Sequence, residues 1–140
     1  FHPGRKVGGM FHAMLPEHTL RKNQRPCLFA DLAVATMVER FRARGMRAAD
    51  LVVKFFGGAN TMQANHPEAM REMLDVGRKN VDQARAALTA HGLSPVVEDV
   101  LGGHGRKLFF STETGEVWLR YLSDELTRAV AAREKLPGAE

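Results

Sequence analysis

Four short stretches of the chain carry groups that could do chemistry. His12 stands in Gly8-Gly9-Met10-Phe11-His12, among glycines and apolar residues. An imidazole titrates near neutrality and can serve as a general base. The plainer reading is a half-buried, hydrogen-bonded structural histidine. Cys27 follows Pro26 in a basic loop just before a helical pattern. A helix N-terminus favours the thiolate, and a cysteine with a histidine elsewhere is the minimal kit for thiol nucleophilic catalysis. A small hydrophobe at a helix start explains it equally. In Phe56-Gly57-Gly58-Ala59-Asn60, glycines follow an apolar run. They would let backbone N–H groups approach an anion or an oxyanion. No Gly-Lys-Ser/Thr follows, so this is not a Walker loop, and tight backbone packing is the alternative. Gly102-Gly103-His104-Gly105-Arg106-Lys107 pairs glycine with cations, which suits phosphate binding or a simple connecting turn.

Other chemistries find little support. His2, His12 and His18 show no ligand spacing, and Glu98-Asp99 is a lone acidic pair. No metal and no cofactor is expected. The single cysteine excludes an intramolecular disulfide framework and a cysteine-rich zinc site, and it fits a reducing cytoplasm.

The candidate groups must be positioned by regular elements. Residues 6–15 predict a strand, with Met10, His12 and Met14 on one face and Phe11, Ala13 and Leu15 on the other. Pro16 ends it, and residues 17–26 read as a surface loop. Residues 29–44 predict an amphipathic helix with the stripe Val34, Met37, Val38 and Phe41, stopped at Gly45. Residues 51–56 form a short apolar run of strand length, and 61–74 read as a loop. A second helix spans 76–91 on the stripe Val81, Ala84, Ala87 and Leu88, stopped at Gly92. Strands are expected at 95–100, 107–111 and 116–122, with a glycine-rich turn at 101–105 and the Thr114-Gly115 turn between the last two. Ser123 would cap a last helix to about residue 135. The fold class is therefore α/β: a mixed, mostly antiparallel sheet with packed helices.

The length is 140 residues, one domain spanning 1–140. Hydrophobic residues make up 44% and charged residues 26%, so a packed core rather than disorder is expected. No apolar run is long enough to insert in a membrane. The net charge of +4 permits an acidic partner. The arginines are scattered without an aromatic stripe, so we expect no nucleic-acid partner. The chain starts with Phe1, without a signal-peptide pattern, and we read Phe1 as an internal residue preceded by a further segment.

Five segments, taken in order, resemble one family. They are Val7-Gly8-Gly9-Met10-Phe11-His12-Ala13-Met14-Leu15-Pro16, Phe55-Phe56-Gly57-Gly58-Ala59-Asn60, and Gly77-Arg78-Lys79-Asn80-Val81. Glu98-Asp99-Val100 with Gly102-Gly103-His104-Gly105-Arg106-Lys107 follows, then Thr112-Glu113-Thr114-Gly115-Glu116-Val117. This set resembles CheD, the chemoreceptor glutamine deamidase of chemotaxis, from about Val7 to Leu122. The resemblance implies an α/β layered sandwich related to cysteine deamidase toxins. It implies hydrolysis of selected glutamine amides on methyl-accepting chemotaxis proteins, in the cytoplasm, and in some members cleavage of receptor methyl esters. A CheC-type phosphatase is the second partner implied.

Residue by residue, the resemblance places His12 at the family's catalytic histidine. The family's nucleophilic cysteine and assisting threonine lie upstream of that histidine, and both would fall before Phe1. The domain is thus expected to lack its N-terminal nucleophile strand, and these 140 residues alone to be inactive. Cys27 matches no catalytic position of the family. Gly57, Gly58 and Asn60 match a family motif that we take as substrate-binding. The rival reading is a non-catalytic module of the same fold that docks on chemoreceptors or on a CheC-type phosphatase.

Overall fold

Apolar residues at helical spacing build two helices that pack on each other. Helix α1 spans Ala30–Arg42 and buries Ala30, Ala33, Val34, Val38 and Phe41. Helix α2 spans Val76–Ala90 and buries Val81, Ala84 and Leu88. Met37 and Ala87, the other two stripe positions, are half-buried. Val34, Val38, Leu88 and Leu93 form the core cluster, and Phe11, Leu51, Val53 and Ala87 pack against it. Asp75 caps α2 by accepting the Arg78 amide at 2.9 Å. Beyond α1 and α2 the chain turns away through Gly45 and Gly92, both at positive φ, as the sequence predicts. The computed structural model describes residues 1–16, 26–60 and 75–122. The expected loops at 17–26 (apart from Pro26) and 61–74, and the helix at 123–135, lie outside them.

Four strands are present among the described residues: β1 (Val53–Gly57), β2 (Pro95–Val100), β3 (Arg106–Phe110) and β4 (Val117–Tyr121). β1 and β2 pair in parallel, with Phe55 opposite Glu98 and Gly57 opposite Val100. Helix α2 connects them, because parallel strands need a crossover. β3 and β4 form an antiparallel hairpin, with Leu108 opposite Leu119 and Phe110 opposite Val117. The result is an α/β structure with two two-stranded sheets. This differs from the expected single, mostly antiparallel sheet. The hairpin signal at Thr114-Gly115 is local and legible, whereas β1 and β2 lie far apart in the sequence and no local signal announces their pairing.

The expected strand at 6–15 is also corrected. Val7 bridges to His2 and Leu15 bridges to Phe29, but no ladder joins these two points. The predicted alternation holds from Met10 to Met14 and fails at Leu15, which is 40% exposed. Met10, His12 and Met14 are exposed, and Phe11 and Ala13 are half-buried. Alternation belongs to any extended backbone, whereas a strand also needs a partner for its amides. Residues 8–13 have no backbone hydrogen bond to any described residue.

Candidate active site

His12 lies on a strap fastened at both ends. Upstream, Gly8 passes against the Phe110 ring and Gly9 against the Met37 sulfur, so closely that a Cβ would sit 2.6 Å and 2.7 Å from them. Phe11 is anchored on the core cluster. Downstream, Met14 and Leu15 donate their amides to Leu28 O at 2.9 and 3.0 Å. Leu15 O in turn accepts the Ala30 amide at 2.8 Å, which satisfies one of the orphan donors at the start of α1. Between these fastenings the His12 ring faces solvent and makes no hydrogen bond to a described residue. Met10 (61% exposed) and Met14 (60% exposed) flank it on the same face. Cys27 is half-buried in the 3₁₀ turn Pro26–Leu28, the turn whose Leu28 carbonyl holds the strap. Phe29 is the N-cap of α1, so Cys27 stands outside the helix rather than in its first turn.

The second region lies where β1 ends. Gly57 and Gly58 both have positive φ, at 126° and 67°. Gly58 faces the first turn of α2 so closely that a Cβ would lie 2.4 Å from Val81 Cγ2 and 2.9 Å from Gly77 O. Only glycine allows that backbone contact. A second turn, 101–105, lies beside it. Leu101 donates its amide to Gly57 O at 2.8 Å, and Asn60 donates to Gly102 O at 2.8 Å. Together the turns form one wall of an open cavity of about 280 Å³. Gly58 and Asn60 line it from one turn, Leu101, Gly102 and Gly103 from the other, and Asp75 and Arg78 from the start of α2. A smaller cavity of about 120 Å³ lies in the core, beneath Gly9 and Phe11 of the strap. Its lining is almost wholly apolar, with Lys54 the one charged side chain among the lining residues.

Arg106 ties the two turns together. Its Nε donates to Asp99 Oδ1 at 2.7 Å, one terminal nitrogen donates to Leu101 O at 2.8 Å, and the other reaches His104 O at 3.2 Å and Gly57 O at 3.5 Å. Its side chain is only 7% exposed. Tyr121 Oη donates to the second Asp99 oxygen at 2.5 Å, and its ring lies 5.5 Å from the guanidinium carbon. The hydrogen bonds from Tyr121 and then from Arg106 hold the Asp99 carboxyl below its ordinary range. The same bond to Asp99 pushes the Tyr121 hydroxyl up.

The structure thus brings Gly58, Asn60, Gly102 and Gly103 to one cavity. No hydrogen bond or ring contact among the described residues joins His12 to it. In the glycine-plus-cation stretch 102–107, the Arg106 guanidinium is engaged by Asp99 and by backbone carbonyls, so it is not free to meet a phosphate. Asp99 and Tyr121 were missing from the sequence-derived site. Glu98-Asp99 reads as a lone acidic pair, and only the fold supplies its partners: Arg106 of β3 and Tyr121 of β4 for Asp99, and Arg85 of α2 for Glu98. Among the described residues no cluster of ligand side chains could hold a metal ion, and no helix is long and apolar enough to cross a membrane.

Comparison with known proteins places these features in a family context. The profile of a family described as CheD chemotactic sensory transduction matches residues 14–121. A protein of Nitratidesulfovibrio vulgaris named "Probable chemoreceptor glutamine deamidase CheD" is 44% identical over 140 residues, covering 96% of this chain and 70% of that protein. A protein of the same name from Oleidesulfovibrio alaskensis is 39% identical over 137 residues, covering 96% of this chain and 65% of its own length. One from Methanococcus vannielii is 37% identical over 117 residues, covering 84% and 73%. The chain therefore spans about two thirds to three quarters of the length of these relatives.

Proposed function

The chain belongs to the CheD family, and on that premise we propose that it is the histidine-bearing part of a protein-glutamine deamidase acting on methyl-accepting chemotaxis proteins. The observation that carries this reading is the His12 strap. His12, which we read as the family's histidine, sits on extended backbone fastened at both ends, with its imidazole open to an incoming protein side chain.

The proposed chemistry runs through a thioester. An amide carbonyl is a poor electrophile and water a poor nucleophile, so a thiolate divides the reaction into two easier steps. His12 takes the thiol proton, and the sulfur attacks the glutamine side-chain carbonyl carbon. The C–N bond then breaks, and His12 returns the proton to departing ammonia. Water, deprotonated by His12, attacks the thioester and releases glutamate with the regenerated thiol. The nucleophilic cysteine and the assisting threonine are proposed to come from a segment preceding Phe1. A receptor methyl ester would pass through the same intermediate, with methanol leaving in place of ammonia. The reading also carries the layered sandwich shared with cysteine deamidase toxins.

Gly57, Gly58 and Asn60 are proposed to face the bound receptor segment. Gly58 is supported by its close approach to Gly77, and Asn60 by its amide hydrogen bond to Gly102 O. The exposed Met10 and Met14 beside His12 suit the approach of an apolar protein surface, either the receptor or a CheC-type phosphatase.

The test uses the full-length protein and a receptor signalling fragment. Peptide mass mapping should find glutamine converted to glutamate at defined positions, both with the wild type and with Cys27→Ser. Binding without conversion would favour the non-catalytic docking module instead. Conversion that vanishes with Cys27→Ser, at an unchanged melting temperature, would move the nucleophile to Cys27.

A further inference from the structure

We infer that Arg106 is a positioning residue that, with Asp99 and Tyr121, locks the 57–60 turn against the 101–105 turn, so that the cavity between them presents one fixed wall to the receptor segment. This rests on the deamidase reading and adds to it the device that shapes substrate recognition.

Arginine suits this task because its donors radiate from one rigid plane. Here that plane spans Asp99, Leu101 O, His104 O and Gly57 O. It therefore joins the end of β1 to the turn between β2 and β3. A buried guanidinium needs a paired charge and satisfied donors, and Asp99 supplies the charge. Tyr121 takes the remaining carboxylate oxygen and so fixes the direction of the carboxylate that steers Arg106. The turn held this way is not one the chain would choose alone. Leu101 sits at φ 65°, in the left-handed region that its side chain disfavours. Its amide is bonded to Gly57 O at 2.8 Å and its carbonyl to Arg106 at 2.8 Å, so both sides of the strained residue are tied. Gly58, Leu101 and Gly102, which line the cavity, are within one residue of these ties, and Asn60 is joined to them by its amide hydrogen bond to Gly102 O at 2.8 Å.

Arg106→Lys separates charge from reach. A lysine keeps the ion pair with Asp99, but its single ammonium cannot span three carbonyls. The experiment compares wild type, Arg106→Lys and Tyr121→Phe in the full-length protein. It combines residue-resolved amide hydrogen exchange with steady-state deamidation of a receptor fragment. In Arg106→Lys the Asn60 and Leu101 amides should exchange about tenfold faster or more, while the amides of α1 and α2 keep wild-type rates. KM for the receptor should rise about tenfold, with kcat within about twofold of wild type. Tyr121→Phe should shift both readouts in the same direction by less.

Three results would overturn the inference. One is unchanged exchange at Asn60 and Leu101. Another is an unchanged KM despite local loosening. The third is faster exchange throughout the chain with a lowered melting temperature, which marks a general stabilising role. A wild-type protein that converts no receptor glutamine would overturn the deamidase reading itself, and the positioning role with it. That outcome is distinct from an active wild type whose KM ignores Arg106.

Discussion

The strap at 8–15 and the paired turns at 57–60 and 101–105 are held in opposite ways. The strap is fastened at its ends, by Phe11 in the core and by Leu28 O beyond it, and the His12 ring between them is free of bonds to described residues. The turns are cross-bonded, through the Leu101 amide to Gly57 O and the Asn60 amide to Gly102 O, with one arginine serving Gly57, Leu101 and His104 at once. The contrast follows from chemistry. A general base must accept and release protons, so the nitrogen that meets the substrate cannot be committed to a structural bond. A recognition wall gains from having its shape fixed before the substrate arrives. One region is therefore fastened only at its ends, by apolar packing and the Leu28 carbonyl, and the other is held across its turns by an ion-paired guanidinium.

Substitutions can break each side of that comparison separately. The largest structural effect is expected at Gly58. In Gly58→Ala the added methyl would meet Val81 and Gly77 O at 2.4 and 2.9 Å, on backbone with φ 67°. A loss of about 1–3 kcal/mol in stability is expected, read as a lowered midpoint in urea unfolding. An unchanged midpoint would mean that the turn is not pressed against α2.

A pH titration sharpens the electrostatic side. The folded-state pKa of Asp99 is depressed, so its contribution is full above the ordinary carboxylate value of about 3.9. It is lost as pH falls through the lower folded value. Tyr121 is raised, so its contribution is full below about 10 and is lost as pH climbs through the higher folded value. Ultraviolet difference titration of wild type against Tyr121→Phe should show this hydroxyl ionising above the ordinary tyrosine range, and Asp99→Asn should bring it back down. Ionisation at the ordinary value in the wild type would deny the bond to Asp99. The His12 strap should be indifferent to both titrations.

The smallest effect is expected at Cys27. Cys27→Ser replaces a half-buried thiol that takes no part in the strap's own backbone bonds, since the turn holds the strap through Leu28 O. Stability should move by no more than about 0.5 kcal/mol, and deamidation by the full-length protein should be retained. A fall of several kilocalories would show that the thiol, rather than the turn's backbone, supports the strap.

Much of the scaffold is legible in the chain itself. The 3.6-residue stripes around Val38 and Val81 specify both helices, and the Thr114-Gly115 signal specifies the hairpin. The alternation from Met10 to Met14 was also real, although it predicted a ladder where only extended backbone is present. Periodicity reports which way side chains point, not whether a neighbouring strand is there to bond. The site was legible in its glycines, because Gly57 and Gly58 follow an apolar strand where a turn must form. The Arg106 tie was not legible. Its partners are mostly backbone carbonyls, which every residue type carries, and they come from positions as far apart as 57 and 104.

The account turns on His12, and the most direct measurement is the rate at which the full-length His12→Ala variant converts receptor glutamine to glutamate. Removal of a general base predicts a fall of about 10²–10⁴-fold relative to wild type, at an unchanged melting temperature because the ring is exposed and bonded to no described residue. A variant that keeps wild-type activity would contradict the account and leave the strap as a structural element alone.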